Sequence, residues 1–117
     1  MSRISQHFSR AEFRCKCGQC GFDTVDVDTL SILESVRNHF DSAVVVNSGC
    51  RCPEYNRRVG GAPNSQHTLG RAADIRVVGV EPTDVYAWLA DNFPGASLGS
   101  YDSFTHVDSR TDGPARW

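Results

Sequence analysis

The chain has 117 residues, 39% of them hydrophobic, and 12 basic against 14 acidic side chains for a formal net charge of -2. That length suits one domain around one core, spanning 1–117. The near-neutral balance excludes a nucleic-acid binder that works by bulk phosphate neutralisation, and the lack of any apolar run of about 18 residues excludes a membrane-spanning helix.

The opening Met1-Ser2-Arg3-Ile4-Ser5-Gln6-His7 has no apolar stretch of the secretory kind, so synthesis in the cytoplasm is expected. Ser9 and Glu12 have capping-box spacing and predict a short helical turn, stopped by the turn at 17–21. Residues from about Asp26 to Phe40 read as the main helix. Asp26 or Asp28 is its cap, and Val27, Leu30, Leu33, Val36 and Phe40 form its core stripe. Ala43 to Asn47 is a β-branched run and predicts a strand. Cys52 to Arg58 fits a short helix with Pro53 in its first position, and 60–65 is a loop by composition.

Ala72 to Val78 predicts a strand with Ala73, Ile75 and Val77 on one face and Ala72, Asp74 and Arg76 on the other. Pro82 to Phe93 reads as a second helix, capped by Thr83, with Val85, Tyr86, Leu89 and Phe93 as its stripe. Pro94-Gly95 ends it. Strands over 97–101 and 104–108 flank a turn at Asp102-Ser103, which puts His106 and Asp108 on one face. The terminal Trp117 is expected to dock back on the body. The order predicts an α+β domain, with helices packed on a small, mostly antiparallel sheet.

Five cysteines are many for this length. Without a secretory signal, thiols or a metal site outrank disulfides. Cys15, Cys17 and Cys20 lie in one segment, Cys50 and Cys52 in another. If the segments meet they supply a structural zinc site; otherwise the cysteines are reduced and pack as small hydrophobes, with an occasional disulfide.

The chemistry concentrates in Ser48-Gly49-Cys50-Arg51, then Ser65-x-His67-x-x-Gly70-x-Ala72-x-Asp74, then His106-Val107-Asp108. Two imidazoles and a carboxylate, with a fourth position for water, make the pattern of a catalytic zinc. Read singly, His67 is equally a surface loop residue, Asp74 a solvent-facing strand acid and His106 a hydrogen-bonded sheet residue. Arg51 suits a bidentate clamp on a substrate carboxylate, or an ion pair with a surface acid. Asp108 is either the partner that orients the His106 ring or a general base. Asp102 and Tyr101 are weaker candidates.

These motifs, with His7-Phe8-Ser9-Arg10-Ala11-Glu12-Phe13, Tyr55 to Gly61 and the terminal Ala115-Arg116-Trp117, give the chain a likeness along nearly its whole length. It resembles the zinc D-alanyl-D-alanine carboxypeptidase and murein endopeptidase group, peptidase family M15, in its short phage and prophage branch. The resemblance implies a hedgehog and D-Ala-D-Ala-peptidase type of fold, with Zn2+ on His67, Asp74 and His106. It implies that Arg51 binds substrate or steadies the oxyanion, and that peptidoglycan stem peptides or cross-bridges are the substrate. A monomer without nucleic-acid or membrane partners is expected, reaching the cell wall after release or packaged in a phage particle. The chain departs from the family pattern at Phe104 and Ser103, where relatives often place a base histidine or acid. That leaves Asp108 or Asp102 as the base, or a domain that binds murein without turnover.

Overall fold

In the computed structural model, which describes residues 3–117, short β-branched segments pair into one four-stranded sheet. The strands are β1 (Val44–Ser48), β2 (Ala72–Val77), β3 (Ser97–Ser100) and β4 (Thr105–Asp108). Their order is β1-β2-β4-β3, and every neighbouring pair is antiparallel. The helices are α1 (Val27–Phe40), α2 (Pro53–Arg58) and α3 (Pro82–Asn92), with 3-10 turns at Arg10–Phe13 and Gln66–Leu69. The α+β class expected from the element order is the class observed.

Helices α1 and α3 lie against the sheet and close the core. Leu33 and Val36 from α1 and Val85 and Leu89 from α3 are buried against Ala73, Ile75, Leu98 and Val107. Phe8 and Phe13 bring the N-terminal segment into the same cluster. The burial of these side chains supplies most of the driving force.

The α1 stripe differs from its expected centre. Val27 is exposed and Leu30 only half-buried, whereas Thr29, Ile32, Leu33 and Val36 face inward. Val27 is the first helical residue and stands clear of the sheet. Thr29 tolerates burial because its hydroxyl donates to the Arg71 carbonyl at 2.7 Å. Asp26 caps α1, accepting the Asp28 N–H at 3.1 Å. In α3 the cap position falls on Glu81, not Thr83, because Pro82 takes the first helical position, where its missing N–H costs nothing. Trp117 does dock back. Its backbone N–H donates to the Leu98 carbonyl at 3.0 Å and its carbonyl accepts the Ser100 N–H at 2.7 Å.

Glu34 fastens the N-terminal segment to α1. Its carboxylate accepts the His7 N–H at 2.8 Å and the Ser5 hydroxyl, and pairs with His7 Nδ1 at 2.7 Å. Burial pushes its pKa up, but the bonds from Ser5 and His7 outweigh that and hold it below its ordinary 4.5. A carboxyl depressed in the folded state stabilises above its unfolded pKa and loses that contribution as pH falls through the folded value. Glu34→Gln is therefore expected to melt below wild type at neutral pH, with the gap closing as the pH drops below 4.5. Thermal melts from neutral pH down to about pH 3 measure this. A gap independent of pH would remove the electrostatic account.

The strand register sets out the opposite face of the sheet. Ser48 pairs with Asp74, Asp74 with His106, and His106 with Gly99, so these four stand in one row across all four strands. Backbone pairing thus brings together residues far apart in the sequence.

Candidate metal centre

Asp74 is the hub of that row. Its Oδ1 lies 2.9 Å from His106 Nδ1 and 3.2 Å from His67 Nε2, while its Oδ2 accepts Arg51 Nη2 at 3.1 Å. Each of His67, Asp74 and His106 offers one ligand atom, all within 4.8 Å of one another. All three residues are buried, yet all line one cleft of about 490 Å³.

Each imidazole is oriented by its other nitrogen. His67 Nδ1 lies 2.6 Å from the Gly49 carbonyl, which can only accept, so Nδ1 carries a proton and Nε2 is the nitrogen turned to Asp74 and the cleft. Gly49 is required for that contact. A Cβ there would stand 2.6 Å from the Phe13 Cα. The 3-10 turn that presents His67 starts at Ser65, whose hydroxyl accepts the His67 N–H at 3.2 Å. The His67 carbonyl accepts the Arg51 N–H at 2.9 Å, which couples the histidine to the arginine through backbone.

His106 is held from below. Its Nε2 donates to Asp108 Oδ2 at 2.7 Å, which turns Nδ1 towards Asp74. Asp108 is fully buried and also takes Arg110 through Nε at 2.9 Å, Nη2 at 2.7 Å and the backbone N–H at 3.1 Å. Burial pushes the Asp108 carboxyl up, but Arg110 and then His106 hold it well below the usual carboxylate range. Burial likewise raises Asp74, and the bonds from His106 and His67 outweigh it, so Asp74 also stays ionised. For His106, burial favours the neutral ring, but the bonds to Asp108 and Asp74 prevail and raise its pKa.

The donor set fits a metal. Two imidazole nitrogens and a carboxylate oxygen face one point; without a cation the ring nitrogens share protons with Asp74, and a divalent metal would take the place of those protons. Two nitrogens and one oxygen, each oriented by a second hydrogen bond, are the ligands and the support that a divalent transition metal of the zinc type takes.

Arg51 lines the same cleft. Its Nε donates to Ser48 Oγ at 3.1 Å and its Nη1 to Asn56 Oδ1 at 3.2 Å, so three bonds fix it and two of its five N–H groups remain for a ligand. Asp108 joins the centre only through His106 and does not line the cleft. Asp102 is not brought to the centre. It is exposed on the turn between β3 and β4, beside Arg76 and Glu81.

Two cleft residues were not singled out as site residues from sequence. Arg110 lines the cleft, and its guanidinium sits 5.5 Å from the centroid of the Trp117 ring. Trp117 packs 5.0 Å from the His106 ring, over Gly99, where any Cβ would meet its indole at 2.5 Å. The only sequence signal for Arg110 was its place two residues after Asp108. With Tyr101 and Phe104, stacked 4.4 Å apart, Trp117 makes the cleft wall aromatic.

The family model described as Peptidase M15 matches residues 6–108, which contain all three candidate ligands and Arg51. No curated protein matches the chain. A match over most of the chain, with a His-Asp-His group assembled in the cleft, means that the chain belongs to the Peptidase M15 family, a family of hydrolytic metallopeptidases.

Proposed function

We propose that the protein is a zinc peptidase that hydrolyses peptide bonds in peptidoglycan stem peptides or cross-bridges, on a fold of the hedgehog and D-Ala-D-Ala-peptidase type. The observation that carries this reading is the convergence of His67, Asp74 and His106 in the cleft, with Arg51 bonded to the same Asp74. Zinc held by these three residues would polarise the scissile carbonyl and activate a water for attack.

The chain's own residues do the rest. Arg51 lines the cleft with two N–H groups left unbonded, and these bind a substrate carbonyl or terminal carboxylate. The wall of Tyr101, Phe104 and Trp117 offers apolar faces that receive the methyl and backbone faces of a small peptide. Asp108 holds the His106 ring in the tautomer that leaves Nδ1 free. Synthesis in the cytoplasm, followed by release to the wall or packaging in a phage particle, completes the reading.

One observation favours a second reading, in which the domain binds murein peptides with little or no turnover. Among the described residues, Asp74 is the one carboxylate that lines the cleft, and it is already bonded to Arg51 and both histidines. Mass spectrometry of defined muropeptides incubated with zinc-loaded protein separates the two. The peptidase reading expects shortened peptides that disappear when a chelator is added. Retention of muropeptides without any new product supports the binding domain.

A further inference from the structure

The structure assigns a second metal site, outside the cleft: Cys15, Cys17, Cys20 and Cys52 form a tetrathiolate that holds one structural zinc ion. One sulfur from each of the four lies within 4.8 Å of the others, although Cys52 comes from a distant segment at the start of α2. The Cys17 and Cys20 sulfurs are 3.4 Å apart and all the cysteines are free. A disulfide needs about 2.05 Å. Four sulfurs at the usual zinc–sulfur distance of about 2.3 Å stand about 3.8 Å from one another at the corners of a tetrahedron. The cluster is therefore already near the spacing a zinc ion imposes.

The hydrogen bonds point the same way. Every one of the four sulfurs accepts backbone N–H groups. Cys15 takes Cys52 at 3.3 Å, Cys17 takes Gln19 at 3.4 Å and Cys20 at 3.3 Å, Cys20 takes Phe22 at 3.4 Å, and Cys52 takes Tyr55 at 3.4 Å. Donors aimed at sulfur favour the thiolate, the form that binds metal. The fifth cysteine has the opposite pattern. Cys50 donates its S–H to the carbonyls of Phe13 at 3.1 Å and Phe22 at 2.9 Å, and it stands outside the group. One set of sulfurs is arranged as ligands and the remaining one as a buried thiol.

The site also has structural work to do. Residues 14–26 contain no helix or strand. A stretch of that length in a small domain needs a fastening, and a structural zinc contributes folding free energy directly. Binding of Zn2+ releases the thiol protons to solvent and ties this loop to Cys52. Its neighbour Arg51 is bonded to Asp74, so the fastening also steadies the cleft from outside.

Metal analysis of the full chain, expressed with zinc, tests the proposal. Wild type is expected to carry about two zinc ions per chain, and His106→Ala about one. Cys17→Ser/Cys20→Ser is expected to lose the cysteine-bound ion, while Cys50→Ser keeps it. Where the double serine variant fails to fold, cobalt substitution of His106→Ala decides. An intense near-ultraviolet sulfur-to-cobalt charge-transfer band is expected from tetrahedral thiolate coordination. A His106→Ala protein free of metal, cobalt uptake without that band, iron at the sulfurs, or disulfides among these cysteines would each overturn the assignment.

Discussion

His106→Ala is expected to remove one zinc ion per chain and to lower kcat/KM on muropeptides by on the order of 10³-fold or more, about 4 kcal/mol of transition-state stabilisation. His106 Nδ1 is one of three ligand atoms, and a zinc ion left with one imidazole and one carboxylate has too few protein ligands to stay. The fold is expected to survive. With the ring gone, Asp74 keeps Arg51 and His67, and Asp108 keeps the Arg110 fork, so neither buried carboxylate is left without a partner. The far-ultraviolet circular dichroism spectrum should match wild type. Wild type stripped at the histidine site should behave like the variant, and added zinc should restore wild type alone. A His106→Ala protein with full metal content and wild-type turnover would sink the assignment of this histidine and, with it, the peptidase centre.

How far the site was legible in the sequence depends on the distance over which each contact acts. The alternation of β4 placed His106 and Asp108 on one face, and the 2.7 Å bond between them follows from that. The pairing of Asp74 with His106 is different in kind. It depends on β4 lying between β2 and β3, a sheet order that neither strand's own pattern encodes. Arg51 was legible as an anion-binding cation, but its tie to Asp74 required the tight passage of Gly49 against Phe13. Trp117 was legible as a docking residue but not as a cleft residue, because 109–117 has no period and its place comes from backbone bonds to β3; Arg110 was hidden because its place comes from its fork on Asp108. The cysteine cluster was visible as two groups of residues. That the groups meet rests on Cys50 bonding back to Phe13 and Phe22, a contact across the fold. The displaced helix stripe has the same origin. Thr29 is inside because the Arg71 carbonyl is there to take its hydroxyl.

Asp108→Asn separates the two roles open to this residue. If Asp108 orients His106, the amide should weaken zinc binding at the histidine site by about 10–100-fold, with turnover recovering as zinc is raised. The reason is donor arithmetic. The carboxylate accepts from His106 Nε2 and from the Arg110 Nε, Nη2 and backbone N–H groups, all on two oxygens. An amide has one oxygen, and its NH2 must face either the ring N–H or the guanidinium, donor against donor. Asp108→Ala goes further and removes the partner of both Arg110 and the His106 ring N–H, a loss of about 1–3 kcal/mol of stability. Proton transfer as the main role of Asp108 predicts the reverse for Asp108→Asn: wild-type zinc affinity at every zinc concentration, and turnover lost throughout. A zinc titration followed by both metal content and product formation distinguishes these outcomes. The full burial of Asp108 and its absence from the cleft lining favour the first.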